Sequence, residues 1–95
     1  MFIVNLSYIK PLDTVDKHLP EHLEFLMEQY SKGIFIASGR KVPRTGGVIL
    51  AKGKSRQELL GILEADPFNQ AGVADYEVTQ FTPNLVAEGL ESLKE

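Results

Sequence analysis

Residues 34–51 read IFIASGRKVPRTGGVILA, and their reading decides the fold. Ile34 to Val42 has the β-branched, aromatic and alternating content of a strand. Pro43-Arg44-Thr45-Gly46-Gly47 is turn chemistry. Val48 to Ala51 is another short apolar strand. The close spacing makes the two an antiparallel hairpin with a longish loop. On the first of them, Ile34, Ile36 and Ser38 are expected on one face, and Phe35, Ala37 and Gly39 on the other.

On either side of the hairpin the periodicity changes. Upstream, Leu19, Leu23, Leu26 and Tyr30 follow helical spacing, with Met27 beside them. Pro20 suits the first turn of that helix, and Gly33 suits a left-handed C-cap. Further upstream, Phe2, Val4, Leu6 and Tyr8 alternate with Ile3, Asn5, Ser7 and Ile9. That is a strand with apolar groups on both faces, so both faces should be partly covered. Lys10-Pro11-Leu12-Asp13 breaks this strand, and Asp13 or Thr14 is expected to cap a short turn.

Downstream, Ser55-Arg56-Gln57-Glu58 forms a capping box. Leu59, Leu60, Ile62 and Leu63 supply the buried stripe of the helix it opens. This helix should stop near Asp66, because proline disfavours the α conformation in the residue before it. Phe68 to Gly72 reads as a loop. Val73 to Phe81 is the last strand, with Ala74, Tyr76 and Val78 opposite Asp75, Glu77 and Thr79. Thr82-Pro83 is expected to start a short C-terminal helix, with Leu85, Val86, Leu90 and Leu93 as its apolar side.

The order is strand, helix, strand, strand, helix, strand. Right-handed crossovers place both helices on one face of an antiparallel sheet, which is an α+β fold on the ferredoxin-like βαββαβ plan. A chain of 95 residues is expected to be a single domain spanning 1–95. The other face of the sheet is then bare in a monomer. A second copy packed over it by two-fold symmetry is the simplest cover, so a homodimer or a higher homo-oligomer is expected.

Composition removes several function classes. The formal charge of -3 argues against a nucleic-acid surface. With no cysteine there is no disulfide, thiolate nucleophile or zinc-thiolate site. Met1 to Ile9 lacks the basic region and cleavage site of a signal peptide. No apolar run approaches the roughly 20 residues that span a bilayer, so no membrane partner and a cytoplasmic location are expected. His18 and His22 are four apart, but Pro20 lies between them and a third ligand is lacking, so no metal is expected. Gly46-Gly47 lacks the lysine and the following helix of a phosphate loop, and no cofactor is expected.

The residue that stands out chemically is Asp66. A carboxylate at a helix C-terminus meets the negative end of the helix dipole, so it gains from a cation or donor brought in from elsewhere. His22 is the candidate. It flanks the apolar stripe of the first helix and faces inward more than His18 does. A histidine held between a helix N-terminus and a carboxylate is suited to moving a proton near neutral pH. The plainer alternative is a structural histidine tethering two helices. Asp66 before proline has a plainer reading too, as a turn satisfied by its own backbone.

Other candidates are softer. Ser38 has no nucleophile elbow around it, so its expected role is a small residue that leaves room for a ligand, as is that of Gly39. Hairpin geometry is the competing account of both. Phe68 either walls a pocket or fills the core. Arg40, Lys41 and Arg44 put three cations on one hairpin, where they either steer an anionic substrate or form a solvated loop.

His22, Ser38-Gly39, Gly46-Gly47, and Asp66-Pro67-Phe68 followed by Gly72 form an ordered set. In this set the chain resembles the YciI-like (YCII-related) family of the dimeric α+β barrel superfamily, over nearly its whole length. The resemblance implies a ferredoxin-like fold, a dimer, and a pocket in which His22 and Asp66 form an acid/base dyad. Many members carry a proline after the strand-two glycine, and Arg40 stands there instead. Some relatives look like lyases or dehydrochlorinases acting on ring compounds, and the wider superfamily includes muconolactone isomerase-like enzymes. The expected function is acid/base chemistry of the lyase, isomerase or hydrolase type on a small anionic molecule. His22 and Asp66 would be catalytic, with Ser38, Gly39, Arg40 and Phe68 around the substrate. The alternatives are a small-molecule-binding module without turnover and a structural dimerisation domain.

Overall fold

The computed structural model describes residues 1–95. Its strands are β1 (Phe2–Tyr8), β2 (Phe35–Arg40), β3 (Gly46–Ala51) and β4 (Ala74–Gln80). Its helices are α1 (Leu12–Lys17), α2 (Leu19–Ser31), α3 (Arg56–Glu64) and a single turn, α4 (Pro67–Gln70). The strands form one antiparallel sheet in the order β2-β3-β1-β4. That is the ferredoxin-like α+β arrangement.

The period of two sets which side chains go inward. On β1, Phe2, Val4 and Leu6 are buried, whereas Ile3, Asn5 and Ser7 are only half-buried. Cross-strand pairing carries this division across the sheet, with Val4 opposite both Ile49 and Val78. The helices close over this face and contribute Val15, Phe25, Leu26, Leu59 and Leu63 to the core. The opposite face carries Ile3, Leu50, Val48 and Ala37, with Asp75, Glu77 and Thr79 towards the β4 edge.

Strand β2 departs from simple alternation. Its pairing with β3 slips between Phe35 and Ala37, so Phe35 lies opposite Ala51 and Ser38 opposite Ile49. One extra residue in a strand moves every later side chain to the other face. Phe35 and Ser38 therefore share the helix-covered face, which corrects the expected grouping of Ile34, Ile36 and Ser38. The strand also ends two residues before Val42.

Helix α2 buries His22, Phe25, Leu26 and Gln29, a stripe at i, i+3, i+4 and i+7. Leu23 and Met27 are 50% and 65% exposed, so the expected leucine stripe is rotated and two of its four buried positions are polar. Residues 12–17 form a helix anchored by the buried Val15, where only a turn was expected. Helix α3 does open on the capping box: Ser55 Oγ accepts the Glu58 N–H, and the Glu58 carboxylate accepts the Ser55 N–H, both at 3.1 Å. The capping contacts hold the Glu58 carboxyl below its ordinary pKa.

Two further expectations are corrected. Residues 82–95 form no helix beyond a 3₁₀ turn at Glu91–Leu93. They fold back to the end of the sheet at which β1 begins, where the Met1 ammonium donates to Glu95 at 2.6 Å and Lys52 Nζ donates to the Ser92 carbonyl at 3.1 Å. Leu85 is left 87% exposed, so the apolar spacing there reports no buried helical face. Phe68 is not in a loop but in α4, where it is 1% exposed.

Candidate active site

Asp66 sits where α3 hands over to α4. Helix α3 ends at Glu64 with Ala65 as its C-cap, and Asp66 is extended, with φ -65 and ψ 125. It is the N-cap of α4 and not a carboxylate stranded on the end of α3. Its Oδ1 accepts the Phe68 N–H at 3.0 Å. An acidic cap at a helix start is favourable, so Pro67 both ends one helix and starts the next, and Asp66 serves the second.

The carboxyl group is 0% exposed and has two further partners. His22 Nδ1 lies 2.7 Å from Oδ1, and the Tyr76 hydroxyl donates to Oδ2 at 2.6 Å. An ionised carboxylate only accepts, so His22 presents Nδ1–H to it, and Nε2 is the ring nitrogen without a protein partner. The imidazole stacks on Phe68, with ring centroids 3.8 Å apart and planes at 5°. Tyr8 meets Phe68 edge-on at 6.0 Å. Rotation of the imidazole is thus blocked by a ring on its face and an acceptor on its edge.

His22 opens onto a cavity of about 260 Å³ between α2 and the β2–β3 hairpin. Leu6, Tyr8, Leu19, Leu23, Leu26 and Phe68 give it apolar walls. Ser38, Gly39 and Arg40 line it as well, beside Gly46 and Gly47. Gly46 and Gly47 let the neighbouring strands approach closely here. A Cβ on Gly46 would overlap the Leu6 carbonyl, and one on Gly47 would come within 3.1 Å of the Gly39 carbonyl oxygen. Asp66 does not reach the cavity; it lies behind His22. A larger groove between α2 and α3, of about 840 Å³, is lined by Glu21, Glu24, Glu28 and Glu58 and contains no part of the pair. Its carboxylates share it with Lys32 and Lys54 and include no buried, oriented acid/base pair, whereas His22, held by Asp66, faces the smaller hollow.

Of the three cations of the hairpin, Arg40 and Arg44 both line the cavity and Lys41 does not. Arg44 donates to Asp16 at 2.6 Å and lies over the Tyr8 ring, 5.7 Å from its centroid. That hydrogen bond holds the Asp16 carboxyl below its ordinary pKa. Lys41 donates to Ser7 Oγ at 3.1 Å. Arg40 keeps an exposed, unpaired guanidinium at the cavity. The Ser38 hydroxyl lies 2.6 Å from that of Tyr30, a partner on α2 that does nothing to activate it as a nucleophile.

Tyr76 is the partner of Asp66 that sequence reasoning missed. A signal existed: alternation put Tyr76 on the inward face of β4, and a buried tyrosine hydroxyl needs a partner. Tyr30 was visible only as part of an apolar stripe. No group of three or more histidine or acidic side chains is arranged to hold a metal ion. No helix is long and apolar enough to cross a membrane.

Comparison with known proteins agrees with the fold. No curated protein matches the chain. Among solved structures, 5-chloro-2-hydroxyhydroquinone dehydrochlorinase (TftG) from Burkholderia phenoliruptrix AC1100, in complex with 2,5-dihydroxybenzoquinone, superposes with a TM-score of 0.71. The match covers 86% of this chain and 94% of that one at 20% identity, a likeness of fold. The YCII-related domain matches residues 1–82, from β1 through β4. By that match the chain belongs to the YCII-related family.

Proposed function

We propose that the protein is an enzyme of proton-transfer chemistry, of the lyase, isomerase or hydrolase type, acting on a small anionic organic molecule. The observation that carries this reading is a histidine whose Nδ1 is fixed by a buried carboxylate while its ring faces an open hollow. Nε2 of His22 takes up or delivers the proton, and Asp66 holds the tautomer and balances the charge of the imidazolium. Arg40 attracts the anion to the mouth, Ser38 and Gly39 bound it, and the Phe68 ring walls the site through its stack with His22. The mixed apolar and cationic lining suits a ring compound bearing an ionised hydroxyl or carboxyl group, and the relative's chlorinated hydroquinone substrate is of that class.

The test is a panel of hydroxylated ring compounds, chlorinated and unchlorinated, followed for chloride release and for exchange of ring or side-chain hydrogens with solvent. Turnover of one of them at a rate above the uncatalysed reaction is expected. Binding of panel members without any turnover would make the chain a binding module, and no binding at all would leave the pair as a tether.

The bare sheet face belongs to the same proposal. Ile3, Val48, Leu50 and Ala37 make an apolar patch there, which a second copy would cover. Sedimentation is expected to give at least twice the chain mass of 10.6 kDa. A charge at its centre, as in Leu50→Lys, should shift the population to the single-chain mass. A wild-type protein that sediments as a monomer at micromolar concentration would remove the dimer from the proposal.

A further inference from the structure

The His22–Asp66 contact accounts for one carboxylate oxygen and leaves the other to Tyr76. Oδ1 of Asp66 is shared by the Phe68 N–H and His22, while Oδ2 has the Tyr76 hydroxyl as its one protein partner. Tyr76 reaches it from β4, where its backbone is paired with Leu6 of the central strand. The acid is fully buried and Tyr76 is partly so.

We propose that Tyr76 is the positioning residue of the pair: its hydroxyl, donated to Oδ2, sets how strongly the carboxylate draws on the Nδ1 proton of His22 and so how readily Nε2 accepts one. The catalytic consequence rests on the enzymatic reading above; the effect on the histidine does not. The reasoning is one of competition. Each donor to a carboxylate stabilises its charged form and lowers its basicity, so it weakens the pull on the other donors. With Tyr76 present, Oδ2 is occupied and the pull on His22 is moderated. Without it, more charge is left for the Nδ1–H bond. The donor is a dependable one: burial first, then the neighbouring Asp66 charge and the hydrogen bond to it, push the Tyr76 phenol far above its ordinary pKa. Tyr76 does not line the cavity, so it acts through Asp66 and His22 and not on substrate.

The experiment reads the His22 ring directly. In protein labelled with ¹⁵N-histidine, the Nδ1–H proton resonance reports the strength of its bond to Asp66. Tyr76→Phe removes only the hydroxyl and is expected to move this resonance downfield. Site-specific 3-fluorotyrosine at position 76, a more acidic phenol and a stronger donor, is expected to move it upfield. The second variant keeps the test open if the first does not fold. On any compound the panel finds to be turned over, Tyr76→Phe should change kcat several-fold and leave KM unchanged. An Nδ1–H resonance that stays put in both variants while the melting temperature falls would reduce Tyr76 to a packing role and overturn the proposal, and so would shifts in the reverse order. Shifts in the expected order without turnover of any compound would uphold the positioning role and defeat the enzymatic reading alone.

Discussion

His22→Gln is expected to lower turnover by about 10²–10⁴-fold while the chain stays folded. Glutamine is the informative replacement. Its amide can still donate to Asp66, so the buried acceptor keeps a partner and the polar network is not left broken. It has no group that takes up a proton in the working pH range. The substitution therefore separates two roles that alanine would merge. A loss of activity with a melting temperature close to wild type places the histidine's contribution in the chemistry. The ring stacked on Phe68 fills part of the core edge, so a loss of a few degrees from that packing is consistent with the reading. Full activity in the glutamine variant would remove His22 from the mechanism, whatever its contribution to the fold.

The same residues show how far sequence alone reaches. The sheet was legible because β1 and β4 alternate, β3 is a short apolar run after turn residues, and connection rules leave few topologies once four strands and two crossovers are placed. His22 and Asp66 were legible as a pair because each is an oddity in its own segment: a titratable group beside an apolar stripe, and an acid before a proline. The electrostatic reason given for Asp66 was nevertheless wrong. A helix C-terminus repels a carboxylate, but the chain turns into α4 within one residue and converts the position into an N-cap. A four-residue helix has too few residues to show a period, so nothing in the pattern announced it.

The bulge in β2 was hidden for a related reason. Alternation in residues 34–39 fits either register, and only the pairing with β3 decides that Ser38 faces the helices. In α2 the leucines suggested one stripe and the packing chose another. The burial of His22 there depends on Phe68, which α4 stacks against it. The C-terminal residues carry apolar spacing with no partner face, and periodicity cannot distinguish that from an amphipathic helix.

Asp66→Ala is expected to be the most damaging single change at the site for stability, at about 3–5 kcal/mol. The carboxyl group is the common acceptor for a backbone N–H, a phenol and an imidazole drawn from three elements: α4, β4 and α2. Removing it leaves all three donors without their acceptor, and each orphan that stays buried costs about 1–3 kcal/mol. Partial relaxation keeps the total below the sum. Against the 5–15 kcal/mol that holds a typical domain together, the loss is a large fraction, and the melting temperature should fall by on the order of 20 °C. Asp66→Asn should be far milder for the fold. Its amide oxygen still accepts the Phe68 N–H and the imidazole, and its NH₂ turns the Tyr76 hydroxyl from donor to acceptor. The activity of the asparagine variant should nonetheless fall about as far as that of His22→Gln, because a neutral amide no longer balances the imidazolium that forms as the proton moves. The two substitutions at one position thus separate the tether from the chemistry. Thermal melts compare their stabilities, and a panel compound compares their rates. An alanine variant that melts within a few degrees of wild type would show that the three elements hold together without their shared acceptor. An asparagine variant at full rate would show that the charge on Asp66 plays no part in proton transfer.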